Sequence, residues 1–193
     1  MQRELRERML SKIMLLREER DLLMEEKIEN DQLGKKIAQK LETLAKSSEL
    51  DKFRQFLEEI EQITKLTVSL TIRLSRLSKK MESGSLSKDD LVSFQDLKTI
   101  TKSLHEPFQV VQEKKKNRLS DQLNEAETLH QNTDRRAAQV RQMLSKYFAD
   151  LTDYDNFLVN LIKHITDLKE TEQRIQLGEE QLVALNDNLI SMP

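Results

Sequence analysis

Apolar residues recur along this chain at alternating intervals of three and four, the spacing that gathers them on one face of an α-helix. The clearest run is Phe53, Phe56, Ile60, Ile63, Thr67, Leu70, Leu74, Leu77 and Met81, polar only at Thr67. A longer run leads from Val140 through Leu144, Tyr147, Leu151, Tyr154, Leu158, Leu161, Ile165, Leu168, Ile175 and Leu182 to Leu189. Glu172, Glu179 and Asn186 are its polar positions, which in a coiled coil fix register at a cost in stability. As one helix, these about fifty residues would span about 75 Å. A rod of that length does not bury its stripe inside a globule, so the pattern predicts a partner helix.

The N-terminal ladder is weaker. Met9, Ile13, Leu16, Leu23, Ile37, Leu41 and Leu44 are interrupted by Arg20, Lys27, Asn30 and Gly34. A second stripe runs through Leu15, Leu22 and Leu33. Two stripes suit more than one neighbour, a change of partner, or a helix folding back on itself. KSSELDK at 46–52 is the first irregularity, where Ser48 caps a new helix or the helix runs on. ESGSLSKDDL at 82–91 is the most linker-like stretch, with Ser87 and Asp90 as a helix start. Leu91, Phe94, Leu97, Leu104, Phe108 and Val111 form a third segment, which Pro107 kinks or breaks.

These elements predict an all-α fold: an elongated, segmented coiled coil assembled as a homodimer of long helices. One helical domain covers 1–193, with segments near 5–46, 49–82, 87–133 and 134–190 and a linker at 83–86. The expected dimer seam is Phe53, Phe56, Ile60, Ile63, Leu70, Leu74, Leu77, Leu144, Leu151, Leu158, Leu161, Ile165, Leu168, Ile175 and Leu182. Spacing leaves the strand direction open.

Composition agrees with long helices. Charged residues make up 34% and aromatics 4%, and there are only three Gly and two Pro to form turns. The net charge of −2 gives no bulk attraction to nucleic acid or to an anionic membrane. Cysteine is absent, which excludes disulfides, thiolate zinc sites and thiol catalysis. No apolar run is long enough to span a bilayer, and the N-terminus lacks the apolar core of a signal peptide. His105, His130 and His164 are far apart and read as exposed or half-buried helix residues, with no metal spacing among them. Gly34, Gly84 and Gly178 are isolated, so no phosphate loop is present. No residue set supports catalysis, a metal or a cofactor. The run Lys114, Lys115, Lys116 and Arg118 reads as a solvated helix surface.

One feature of the second segment stands out from this background. With Phe53 at heptad position a, Leu66, Arg73 and Lys80 fall at g, and Ser69 and Arg76 at c. The cations form a shoulder beside the seam. In a symmetric dimer they would pair with acids at e, but those positions are Leu57, Thr64, Thr71 and Ser78. An acidic partner surface for Leu66, Ser69, Arg73, Arg76 and Lys80 is the competing reading. Val68 and Ile72, apolar at b and f, suggest that this segment is covered on more than one side.

The stretches LREERDLLMEE (16–26), ELDKFRQFLEEIEQITKLTVSLTIRLSRLSKKME (49–82), DYDNFLVNL (153–161) and IQLGEEQLVAL (175–185) are similar, in order, to the C-terminal conserved domain of the Shroom family of cytoskeletal proteins. The resemblance spans about residues 10 to 190 and is weakest across 83–120. It implies an all-helical dimer that binds the coiled coil of Rho-associated kinase and brings it to apical actin, where myosin II is activated and cells constrict. SLTIRLSRL (69–77) resembles the family motif tied to kinase binding, with matches at Ser69, Leu70, Arg73, Leu74 and Arg76. Ile72 departs from it, since many relatives carry glycine there. The resemblance also implies a place in the cytoplasm, on the cytoskeleton at apical junctions. Two other readings remain from the residues alone: a structural self-associating spacer or cross-linker, and a membrane-shaping helical dimer, which the charge balance disfavours.

Overall fold

The computed structural model describes the backbone of residues 2–83 and 108–190. Of the expected linker at 83–86, Ser83 is still helical, and 84–86, the start of the third segment and Pro107 lie outside the described residues. Within them the chain forms four helices and no strand: α1 (Gln2–Leu44), α2 (Ser47–Ser83), α3 (Phe108–Leu144) and α4 (Thr152–Ile190).

The first break falls between the first two expected segments. The Ala45 amide still donates to Leu41 O at 2.8 Å, and Lys46 O accepts from Glu49 and Leu50 at 2.9 and 3.1 Å. Two residues thus reverse the chain, and Ser47 opens α2. The helices then pair antiparallel. Ile13 near the start of α1 packs with Ile175 near the end of α4, while Asn30 further along α1 meets Phe157 near the start of α4. In the second pair, Arg136 of α3 bridges to Glu59 of α2, and Leu119 packs with Leu77. α4 packs against both α1 and α2, so it joins the two pairs.

All four helices converge where their ends meet. Leu41 of α1, Phe53 of α2 and Leu144 of α3 are fully buried there, among Tyr154 and Phe157 of α4. The Phe53 and Tyr154 rings lie 6.3 Å apart and are tilted by 51°, an ordinary aromatic pair. Burying each such side chain contributes about 1.5–3 kcal/mol.

The long C-terminal ladder is not one helix. α3 ends at Leu144 and the chain turns through 145–151 before α4 begins. The ladder kept its register across this turn because Tyr147, Phe148 and Leu151 also pack on the core. Polar bonds hold the corner. Asp150 Oδ1 accepts from the Thr152 amide at 2.9 Å and its hydroxyl at 2.7 Å, capping α4, and these bonds hold the Asp150 carboxyl below its ordinary pKa. The α3 helix runs unbroken through 133–134, where a segment boundary was expected.

The covering of the stripes is intrachain. The α4 stripe lies against α1, and the α2 stripe lies against α3 and α4, because antiparallel return lets one chain supply both sides of a seam. Of the expected seam residues, Phe53, Phe56, Ile60, Leu70, Leu77, Leu144, Leu161, Ile165 and Ile175 are buried in this way. Ile63, Leu74, Leu151, Leu158, Leu168 and Leu182 are half-buried. The second α1 stripe divides: Leu33 packs on the core, whereas Leu15 and Leu22 are 65% and 62% exposed.

Candidate docking surface

α2 places the cationic shoulder along its C-terminal half. Leu70 and Leu77 turn toward α3, burying against Leu119 and Ala126, with Leu74, Met81 and Leu123 around them. That packing sets the helix's rotation and therefore what its flank presents. Leu66 is 44% exposed, Arg73 is exposed and Ser69 is half-buried. Lys80 lies on the helix, but its side chain is outside the described residues. Val68 and Ile72 are half-buried, as their apolar character suggested.

Arg76 behaves differently from Arg73. It is half-buried and reaches α4, where its guanidinium donates to the side-chain oxygen of Gln173 once that amide is oriented with oxygen toward it, Nε lying at 3.1 Å. The shoulder thus separates into an outward arginine and one turned into the fold. Spacing on α2 alone carried no signal for this, because the acceptor comes from another helix about a hundred residues away.

The pairing of α2 with α3 brings a second cationic run alongside. Leu119 packs beside Leu77 and Arg136 bridges to Glu59, so Lys114, Lys115, Lys116 and Arg118 lie alongside residues 78–82 of α2, past Arg76 and level with Lys80. Lys115 and Lys116 are half-buried and Arg118 is exposed. Two runs separated by about forty residues of sequence thereby follow one another along the α2–α3 pair as a cationic region. Such a region attracts acidic surfaces and steers their approach.

Sequence reasoning missed three polar clusters. At the corner, Glu49 accepts from the Tyr147 hydroxyl at 2.5 Å and from Lys146 at 3.3 Å. The Tyr147 bond chiefly holds the Glu49 carboxyl below its ordinary pKa and pushes the tyrosine up. Beside it, Arg141 binds Asp155 in a two-pronged pair at 2.9 Å each, which lowers the Asp155 pKa and raises that of Arg141. Between α1 and α4, Asn30 is buried and donates to Phe157 O at 3.0 Å, leaving its own Oδ1 unpaired. His164, expected to be exposed or half-buried, is only 4% exposed; its Nε2 lies 3.4 Å from Glu26 and, among the described residues, its Nδ1 has no partner. His130 is partly exposed beside Asp134, and His105 lies outside the described residues. Tyr154 is buried, which pushes its pKa up.

Among the described residues no group of His, Asp or Glu is placed to hold a metal ion, and no helix is long and apolar enough to cross a membrane. What the surface offers is helix faces carrying charge, the equipment of an all-helical protein-interaction domain. The comparisons with known proteins agree. Residues 1–189 match the Apx/Shroom domain ASD2, and the chain belongs to this family. It is 32% identical over 188 residues to Protein Shroom2 of Homo sapiens, covering 96% of this chain and 11% of that protein. It is 31% identical over 189 residues to Protein Shroom of Drosophila melanogaster, covering 97% of this chain and 11% of that protein. Protein Shroom2 of Xenopus tropicalis is 31% identical over 188 residues, 96% of this chain and 10% of that protein. The chain therefore spans about a tenth of the length of these relatives.

Proposed function

We propose that this chain is a non-catalytic scaffold domain that binds the coiled-coil region of Rho-associated kinase. It recruits the kinase to the actin cytoskeleton, where myosin II contractility drives apical constriction. The observation that carries this reading is the exposed Arg73 on α2, in the stretch that resembles the family's kinase-binding motif. Arginine suits the role, because its planar fork binds carboxylates with two hydrogen bonds. Leu66, Ser69 and Lys80 complete the docking face, with the half-buried Arg76 at its inner edge. Membership of the Shroom family supports a place on the cytoplasmic cytoskeleton at apical junctions. The exposed Leu15 and Leu22 supply a surface for self-association into a homodimer.

The test is a titration against the purified kinase coiled coil. The variant is Arg73→Glu alone, because Arg76 also bonds Gln173 and its reversal would disturb the fold. If Arg73 is desolvated in the complex, its reversal weakens binding by about 1–3 kcal/mol, roughly 5- to 150-fold, with the circular dichroism unchanged. Equal binding by both chains would remove the shoulder from the docking face. No binding by either would leave a structural spacer, the reading that the inward Arg76 favours.

A further inference from the structure

We propose a second docking site, separate from the cationic shoulder, that takes an acidic amphipathic helix of a partner protein. It is a groove of about 390 Å³ where the end of α1 lies beside the turn into α4. Leu33, Ile37, Leu144 and Leu151 supply its apolar surface. The volume is in the range of sites that receive ligand groups or anchoring side chains.

The charge around it selects the occupant. Lys36 and Lys40 line the α1 bank, both exposed and one helical turn apart. Residues 33–41 of α1 contain Lys35, Lys36 and Lys40 and no acid. Lys27, earlier on α1, by contrast finds Asp31 one turn away at 2.5 Å. Glu42, the next acid along, faces Arg54 at 3.8 Å. On the other bank Asp150, which accepts from Thr152, and Asp153 are both exposed acids, so the two banks carry opposite charge. Two ammonium groups a turn apart match two carboxylates a turn apart on a facing helix, with an aliphatic residue between them entering the groove. Asp153 opposes a basic residue on the far edge of that helix and fixes its direction.

The test uses the full chain with ¹³C-labelled Ile and Leu methyls. The probe is a synthetic helical peptide with Glu at positions i and i+4 around a central Leu, compared with the same peptide carrying Lys at both. The Glu peptide should shift the methyls of Leu33, Ile37 and Leu151 saturably and leave those of Leu70 and Leu119 still. The Lys peptide should bind about tenfold more weakly or worse, because it sets like charges against Lys36 and Lys40. Lys36→Glu/Lys40→Glu should abolish the preference, and Arg73→Glu should leave it intact. Absence of shifts with the Glu peptide, equal binding of both peptides, or shifts centred on Leu70 and Leu119 would each overturn the proposal.

Discussion

Gly34 is the position where a small change should have a large and sign-determining effect. It lies buried in α1 against the ring of Phe157 on α4. A Cβ built there would stand 2.6 Å from Phe157 Cζ and closer still to Cε2, distances that real Cβ atoms do not show. In an open helix, Gly→Ala stabilises by about 1 kcal/mol, because alanine loses less conformational freedom. Here the methyl must displace a ring that is only 4% exposed and whose backbone carbonyl accepts from Asn30. Overpacking of that kind costs about 1–3 kcal/mol. The two terms oppose, and Gly34→Ala should lose up to about 2 kcal/mol net. For a chain of this size that is a fall in Tm of up to roughly 8 °C. Gly178→Ala is the matched control. Its Cβ would meet Ile13 Cγ1 at 3.0 Å, an aliphatic side chain able to yield, so it should be close to neutral. Thermal and urea unfolding followed by circular dichroism give both values. Pairing Gly34→Ala with Phe157→Leu should recover about 1 kcal/mol relative to the sum of the single changes. A Gly34→Ala chain more stable than the parent would refute the close approach of α1 and α4.

Phe53→Ala should cost about 3–5 kcal/mol and lower the urea midpoint sharply, since Phe53 is fully buried where four helices meet. Asn30→Leu removes a buried amide whose oxygen lacks a partner, so thermal unfolding should show a gain of up to about 1 kcal/mol, and a clear loss would mean that the Phe157 bond dominates. The Glu49 and Asp155 carboxyls are held below their ordinary values of 4.5 and 3.8. Their contribution is complete above those values and disappears as pH falls through the lower folded-state pKa values, so Tm should drop on acidification below about pH 4.5. Glu49→Gln should flatten part of that drop, and an unchanged pH profile would remove Glu49 from its cause.

The helices themselves were legible because helical periodicity is a local property. Which residues share a face follows from 3.6 residues per turn, whatever covers that face. The first break was also marked, by a polar stretch with two serines at 46–48. The turn at 145–151 was not, because it contains neither Gly nor Pro and its apolar residues sit where a continuous helix would also put them. A turn that packs into the core is indistinguishable by spacing from a helix that does.

The docking surface divides in the same way. The sequence placed Arg73 and Arg76 on one flank of α2, and their residue types suited an acidic partner. Only the tertiary arrangement separated them, turning Arg76 toward Gln173 and leaving Arg73 outward. Only the antiparallel return of α3 laid the lysine run alongside residues 78–82, next along the same helix. A single stripe states that a helix needs a neighbour and says nothing of whether that neighbour belongs to the same chain. Choice of neighbour depends on contacts between residues far apart in sequence, such as Gly34 with Phe157 and Glu59 with Arg136. Those contacts exist only once the chain has folded back on itself.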